Sequence, residues 1–521
     1  MKNKTPVLFF SAALVFVFCA CSRGGGENPE TGAFGEKTGP SVTAAETPLE
    51  GGELRFGLTT EPATLDPLNS ANTADGRSIL FNVFEGLVKP DGEGSLLPAA
   101  AESWTLEQEG LVYVFTLREG LRFHNGDAVT QEDVKFTLET AARAGFAGFT
   151  LIEKVEAAGS RDIRVTLRER DPEFLPYITV GIVPKNNADR EKNPIGTGPF
   201  LIKSYTAQQS LVLAKNPHYW RKDLPHLDTV SFVFVADSDA LLLDLRGGSI
   251  DAASLTGALV HQLDPAKFDA VPGFSASVQV LALNNAVKPL DDIRVRKAIN
   301  YAIDVQRIID TAFFGEGRPS GSPLIPGLTR YYESSLADPY PFDPEKARSL
   351  LAEAGYGNGA KKISLEITVP SNYTMHVDTA QVIVSQLAEA GIEAAIKLVD
   401  WATWLADIYH GRKYQGTIIS VDANNVSPRS FLARYLSDGG SNFMNFKSGE
   451  YDRVYAAALA EPSEAKRIEL YKEAQKIISR NAAGVYIQDI AGFKVFPKGR
   501  FRGLVNYPLY VIDLASIYRI H

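Results

Sequence analysis

Two tryptophans and a tyrosine are the side chains of this sequence best suited to hold a small molecule. Trp401 and Trp404 stand three residues apart, so one helical face presents both, and Tyr373 follows a predicted strand. Aromatic rings can stack on ligand groups, or they can simply cap a core. Arg429 could bind a carboxylate through two parallel hydrogen bonds, or it could be a surface charge. These residue types indicate binding rather than a reaction.

No combination of residues typical of catalysis is found. The sequence has no Gly-x-Ser-x-Gly, no His-Glu-x-x-His and no cysteine placed for catalysis. Its seven histidines are scattered, and only His376 and His410 fall near the predicted binding region, where surface or helix-end positions are the simpler interpretation. We therefore expect no catalytic residues, no metal site, no cofactor and no enzymatic activity.

The aromatic residues and Arg429 lie in a segment that predicts alternating strands and helices. The pattern predicts strands at 363–369, 392–399 and 414–421, a helix with Val377, Ala380, Val384 and Leu387 on one face, and a helix at 401–410. This βαβαβ order favours a parallel sheet, and ligands collect outside the carboxyl ends of such strands. Those ends are residues 370–373, 400–404 and 422–429.

An opposing wall is predicted near the start of the chain. Residues 54–58 favour a strand, and the polar loop after it contains Thr60 and Glu61. A helix is predicted at 78–88, since its apolar residues recur at helical spacing; they are Ile79, Leu80, Val83, Phe84 and Leu87.

The N-terminus is typical of an export signal. Two lysines precede an apolar run at 7–18, and small residues follow. The end of this leader resembles a bacterial lipobox, with Cys21 as the lipid acceptor after cleavage; soluble export after ordinary cleavage is the alternative. Residues 22–51 are rich in Gly, Pro, Ser, Thr and Glu and are typical of a flexible tether.

The bulk composition is that of a soluble globular protein with more than one domain, because 521 residues exceed one ordinary core. Hydrophobic residues make up 45% of the chain and the net charge is −9. This acidic balance argues against a nucleic-acid partner and against adhesion to anionic lipid. No stretch after the leader is apolar for long enough to span a bilayer.

Many ordered blocks of the chain are similar to the extracytoplasmic solute-binding proteins of the peptide/nickel family. They include GLTTEPATLDP, FEGLVK, FTLREGLRFHNGDAVTQEDVKFTLE, GTGPFLIKSY, NPHYW, DDIRVRKAINYAIDVQRII and FDPEKARSLLAEAGY. The resemblance implies an α/β, two-lobed periplasmic-binding-protein fold with an extra α+β subdomain inserted in the first lobe. It also implies that a permease and an ATPase of an ABC importer are partners.

The implied division has five parts. These are a signal peptide (1–20), a lipidated N-terminus and tether (21–51), the first lobe (52–89, 194–283 and 490–521), the inserted subdomain (90–193) and the second lobe (284–489). The protein would be exported to the periplasmic space or cell surface, would touch the membrane only through its lipid, and would be a monomer.

The resemblance also identifies the loop where this chain departs from its relatives. In peptide-binding members an Asp of this loop pairs with the ligand's α-ammonium, but Asn424 stands there, and Ser427 replaces a second Asp. Asn cannot supply a counter-charge, so Asp422 is the candidate substitute. Residues 441–443, with Asn442 and Phe443, fit the family's turn near the cleft.

We therefore predict an ABC-importer receptor that captures a solute, most simply a peptide, between two lobes. An oligosaccharide or a metal chelate is the alternative ligand, and a surface or sensory lipoprotein is the alternative role. The predicted ligand-binding residues are Thr60, Glu61, Tyr373, Trp401, Trp404, Asp422, Asn424, Arg429, Asn442 and Phe443.

Overall fold

The computed structural model describes residues 48–69, 74–274, 276–357, 361–422 and 425–520. The strands are β1 (Glu53–Leu58), β2 (Val88–Pro90), β3 (Leu96–Pro98), β4 (Ala101–Glu107), β5 (Val112–Leu117), β6 (Ile152–Ala158), β7 (Asp162–Leu167), β8 (Phe200–Thr206), β9 (Ser210–Lys215), β10 (Thr229–Phe234), β11 (Ala252–Thr256), β12 (Phe268–Phe274), β13 (Ser277–Leu283), β14 (Gly317–Pro319), β15 (Ile363–Pro370), β16 (Ile392–Val399), β17 (Gly416–Asp422), β18 (Gly484–Pro497), β19 (Phe501–Arg502) and β20 (Tyr518–Arg519).

The helices alternate with these strands over much of the second half of the chain. They are α1 (Ala74–Leu80), α2 (Gln131–Arg143), α3 (Ser238–Gly247), α4 (Gly257–Val260), α5 (Ile293–Tyr301), α6 (Val305–Ala312), α7 (Pro344–Glu353), α8 (Thr374–Glu389), α9 (Trp401–Thr403), α10 (Arg429–Leu432), α11 (Gly449–Ala460) and α12 (Glu464–Arg480). A π-helical turn, Trp404–His410, continues directly from α9.

A mixed sheet of twelve strands runs through both lobes in the order β16-β15-β17-β13-β18-β11-β1-β10-β9-β8, with β12 and β14 also pairing with β18. The predicted βαβαβ unit is confirmed, because β15 pairs in parallel with both β16 and β17. The carboxyl ends of these three strands therefore meet at one edge.

The long strand β18 belongs to both halves of this sheet. Its first residues pair with β13 in the second lobe, and Ala491 onward pairs with β12 and β11 of the first lobe. The strand β13, which the sequence analysis placed at the end of the first lobe, pairs with β17. The chain therefore enters the second half of the sheet already at Ser277.

The inserted subdomain contains a four-stranded antiparallel sheet in the order β4-β5-β7-β6, with α2 packed against it. The helix begins with a reciprocal cap, since the Thr130 side chain accepts from the backbone N–H of Asp133 and the Asp133 side chain accepts from that of Thr130. Buried aromatic residues, among them Tyr113, Phe115 and Phe174, continue into the core of the first lobe.

The helix predicted at 78–88 is wrong beyond Leu80. The backbone carbonyls after that point accept hydrogen bonds from other segments: Gly198 N–H donates to Val83 O at 2.9 Å and Phe200 N–H donates to Asn82 O at 3.0 Å. A Cβ on Gly198 would lie 2.5 Å from Asn82 O, so only glycine permits this close approach. The predicted apolar residues are nonetheless buried, because the irregular chain packs them against the same core.

Candidate ligand-binding cleft

A cavity of about 240 Å³ lies in the first lobe, beside the point where β18 leaves it. The ends of β1 and β11, residues 492–494 of β18, and the C-terminal segment 506–512 form its walls. Asn82 fastens that segment, because its side-chain amide donates to Ile512 O at 2.7 Å and its carbonyl accepts from Leu514 N at 2.9 Å. The cavity wall is therefore fixed to the chain around α1.

Among the described residues that line this cavity, Lys494 is charged and all the others are neutral. It stands directly opposite Ser254 in the antiparallel pair of β18 and β11, so both side chains project from the same face of the sheet. Lys494 is half-buried, and burial lowers its pKa. No hydrogen bond or ion pair joins its ammonium group to any part of the chain that the structure describes.

Tyr510 connects the cavity with the second lobe. It lines the cavity, and its hydroxyl donates a hydrogen bond of 3.4 Å to Oδ1 of Asp422 at the end of β17. The Asp422 side chain remains open to solvent, yet the surrounding protein raises its pKa by desolvation, against smaller opposing effects of Tyr510, Arg434 and Arg77. A carboxylate thus stands across the cleft from the first lobe, and within the described residues it forms no ion pair.

An aromatic group lies at the carboxyl ends of β15 and β16. The indole of Trp401 is 41% exposed and stacks on Trp404, with ring centroids 5.1 Å apart and an interplanar angle of 8°. Tyr373 is 37% exposed and meets Trp401 edge-on at 5.6 Å. Trp401 and Tyr373 therefore present open ring surface, as a ligand wall requires.

Trp404 occupies the other side of this stack. It is 3% exposed, and its indole N–H donates to Oγ1 of Thr417 at 2.9 Å. The hydrogen bond to Thr417 holds Trp404, and Trp404 in turn supports the stacked ring of Trp401. The structure therefore supports a core role for Trp404 and argues against ligand contact. The predicted single face is still present, but its two rings lie at different depths.

Glu61 and Thr60 follow β1, as predicted. Thr60 is exposed and lines the cavity. The Glu61 carboxylate accepts hydrogen bonds of 2.8 Å from the Tyr205 hydroxyl and from the backbone N–H of Gln208. It therefore holds the hairpin between β8 and β9, which argues against its use as a ligand group.

Arg429 is committed to a buried cluster, which argues against the ligand carboxylate suggested by the sequence. Its guanidinium donates to both oxygens of Asp171 at 2.7 Å and lies 2.9 Å from Glu173. Its side chain is 12% exposed, and those of Asp171 and Glu173 are 6% and 3% exposed. The cluster joins the inserted subdomain to the second lobe; sequence reasoning missed it because the partners are more than 250 positions away.

Asn442 and Phe443 are also structural. Asn442 is 1% exposed, and its side chain bonds to the backbone of Leu436 and Phe446. Phe443 is 3% exposed and packs beside Tyr409. Their burial argues against the ligand role suggested for them, and the turn instead supports the aromatic group.

His376 lies in the first turn of α8, as the helix-end interpretation predicts, but it is buried rather than on the surface. Its Nδ1 accepts from the side-chain amide of Gln279 at 3.0 Å, and burial lowers its pKa to about 4. Of the remaining predictions, Asn424 and Cys21 lie outside the described residues.

Sequence reasoning also missed Lys494, Tyr510 and Ser254. A signal for Lys494 was present, because it is a cation inside the otherwise apolar strand sequence GFKVFP. In the described ranges, no cluster of three or more His, Cys, Asp or Glu could hold a metal. The helices of the same ranges include none that is long and apolar enough to cross a membrane.

Comparison with known proteins agrees with the predicted resemblance. Heme-binding protein A of Haemophilus influenzae is 27% identical over 98% of this chain and 97% of its own length. The dipeptide-binding protein of Pseudomonas aeruginosa is 27% identical over 86% and 93%. A crystal structure of the ABC transporter substrate-binding protein CtaP from Listeria monocytogenes matches with a TM-score of 0.81 and 24% identity, over 91% of this chain and 100% of that one.

The fold of that structural neighbour confirms the two-lobed α/β architecture. The family model for the middle region of the bacterial extracellular solute-binding proteins of family 5 matches residues 95–443, which is more than half of the sequence. The chain therefore belongs to the bacterial extracellular solute-binding proteins of family 5.

Proposed function

We propose that this protein is the substrate-binding receptor of an ABC importer, and that it captures a peptide-type solute between its two lobes. Family membership and the dipeptide-binding relative support the class of function. The strand β18, shared by both lobes, supports closure about a hinge, because rotation at its middle changes few other backbone pairings. Captured solute would then pass to a membrane permease driven by an ATPase.

The observation that carries the peptide assignment is Asp422. It stands at the carboxyl end of β17, is partly desolvated, and forms no ion pair with the described residues. Arg434 and Arg77 act on Asp422 without forming an ion pair with it. A peptide α-ammonium would supply a directly bound positive charge and would form charge-assisted hydrogen bonds with the carboxylate. Asp422 thus supplies, two positions earlier in the chain, the negative charge that Asn424 lacks.

Calorimetric titration of the mature chain with trialanine and with N-acetyl-trialanine tests this assignment. Acetylation removes the ammonium, so affinity should fall roughly ten- to hundredfold, the value of a charge-assisted hydrogen bond. Asp422→Asn should bind both peptides with similar weak affinity. The control Asp378→Asn, at an exposed position of α8, should discriminate like the wild type. Equal binding of the two peptides by the wild type would contradict the assignment.

We also propose that the protein is exported and anchored through a lipid on Cys21. The leader, the small residues before Cys21 and the tether composition of 22–51 support this location. Mass spectrometry of protein extracted from membranes should find an N-terminal peptide carrying diacylglycerol. Cys21→Ser should leave the protein in the soluble exported fraction, and equal membrane retention of both proteins would contradict the anchor. We expect the purified protein to be monomeric, which light scattering measures directly.

A flat or ring-shaped solute is the second candidate ligand, supported by the open face of Trp401 beside Tyr373. Stacked indoles suit the faces of sugar rings or of a planar metal chelate, and one relative is named for heme binding. Titration with maltotriose and with hemin, monitored by tryptophan fluorescence, separates this candidate from peptide. Binding that Trp401→Ala abolishes and Asp422→Asn leaves unchanged would favour it over the peptide assignment.

A further inference from the structure

The cavity beside β18 has an unusual charge balance. It is lined by hydroxyl, amide and apolar side chains, and Lys494 brings one positive charge into it. The lining contains no carboxylate, although the chain as a whole is acidic. A half-buried ammonium without a counter-charge costs free energy, and its lowered pKa reflects the same desolvation. An occupant with a negative group would remove this cost.

The surroundings of Lys494 are suited to an acid group of modest size. Ser254 faces the cavity from the paired position on β11, and Thr60 and Tyr510 add hydroxyls. Gly492, two residues before Lys494, also lines the cavity, and a Cβ built on it meets no atom within 4 Å. Gly492 therefore puts no side chain beside the ammonium, and the hydroxyls of Ser254 and Thr60 line the same cavity.

We propose that Lys494 binds the carboxylate of the captured solute and thereby selects small zwitterions. The proposal rests on the receptor function above and adds its second recognition point. Tyr510 lies between the two charges, because it lines the Lys494 cavity and also donates to Asp422. A solute with an ammonium group at Asp422 and a carboxylate at Lys494 would span this tyrosine.

Trialanine and its C-terminal amide test the proposal in the mature chain. Wild-type protein should bind the free acid roughly ten- to hundredfold more tightly than the amide, which has lost the charge-assisted contact. Lys494→Met keeps the length of the side chain and removes its charge, so the variant should bind acid and amide alike. Lys203→Met, at an exposed position on β8, is the matched control and should keep the wild-type preference. An unchanged preference in Lys494→Met overturns the proposal.

Gly492→Val provides an independent variant that does not alter charge. A Cβ at this position meets no atom within 4 Å, so the thermal midpoint should stay near the wild-type value. Binding of trialanine should nevertheless fall at least tenfold, because the added methyl groups occupy the volume the carboxylate needs. Full binding by this variant would exclude the cavity as the ligand site.

Failure of the peptide assignment can be distinguished from failure of the Lys494 proposal. If wild-type protein binds none of the peptides, the receptor function for peptides fails. Lys494 is then judged with acetate and inorganic phosphate, added at ionic strength matched with sodium chloride. Either anion should raise the thermal midpoint of the wild type more than that of Lys494→Met. Equal shifts in both proteins would overturn the anion site, and a response to phosphate alone would change its ligand from carboxylate to phosphate.

Discussion

Replacing Arg429 with Met should cost the protein about 3–5 kcal/mol of stability, the usual loss when one partner of a buried ion pair is removed. The guanidinium makes two contacts of 2.7 Å with Asp171 and one of 2.9 Å with Glu173. Both carboxylates are almost fully buried, so the variant leaves two negative charges close together, with Arg467 as the remaining cation that acts on Glu173. Their desolvation and mutual repulsion set the size of the loss.

Urea titrations followed by circular dichroism measure this effect, with Arg170→Met as the control. Arg170 pairs with Glu109, and both side chains are more than 60% exposed, so that pair should contribute no more than about 1 kcal/mol. Removing the carboxylates as well, in the triple variant Asp171→Asn, Glu173→Gln and Arg429→Met, should recover part of the loss. Similar losses in Arg429→Met and Arg170→Met would refute the reasoning.

The pH dependence gives a second check on the same cluster. Burial raises the pKa of Glu173, and Arg429 opposes this effect. A carboxyl whose folded-state pKa is raised favours the folded state below its ordinary pKa, and this contribution is lost as the pH rises through the raised value. Without Arg429 the pKa of Glu173 should rise further. The destabilisation of Arg429→Met should therefore shrink as the solution is acidified.

Three further predictions concern the cleft and its supports. Trp404→Ala should lower the unfolding free energy by about 3–5 kcal/mol in urea titrations, because the indole is buried, whereas Trp401→Ala should cost less than half as much. Burial holds the pKa of His376 at about 4, below the ordinary 6.5, so the unfolded chain takes up a proton first as the pH falls. This histidine should remove roughly 3 kcal/mol of stability between pH 6.5 and 4, and His376→Gln should flatten that slope; parallel slopes would contradict the assignment. Affinity for trialanine should fall as the pH drops through the raised pKa of Asp422, while Asp422→Asn should show no such step in calorimetry over the same range.

Periodicity in the sequence was sufficient to predict the helices and strands whose backbone hydrogen bonds are internal or lie between neighbouring strands. The strands β15, β16 and β17 and the helix α8 were predicted closely for this reason. The helix expected at 78–88 failed, because apolar spacing reports which side chains are buried and not where their carbonyls find donors. Glycines at 196 and 198, far along the chain, decide that question.

The candidate ligand-binding residues also show what position in the sequence can and cannot predict. Trp401 and Tyr373 are partly exposed and Thr60 lines the cavity, so these residues and Asp422 remain candidates for ligand contact, as their positions after strands predict. Arg429, Trp404, Asn442 and Phe443 were named from the same loops, but they are buried: Arg429 pairs with a distant segment, whereas Asn442 bonds to the backbone of its own turn. Lys494 was missed because the sequence does not show which residues surround it. It became a candidate only when the described residues around the cavity offered its ammonium no partner.

The position of β18 near the end of the chain has a consequence for biosynthesis. This strand supplies the backbone partners of β13 in one lobe and of β11 and β12 in the other. Neither half of the sheet can be completed until residues 484–497 have left the ribosome, when nearly all of the chain has been made. The large sheet therefore stays incomplete through most of synthesis, whereas the separate sheet of the inserted subdomain does not depend on β18.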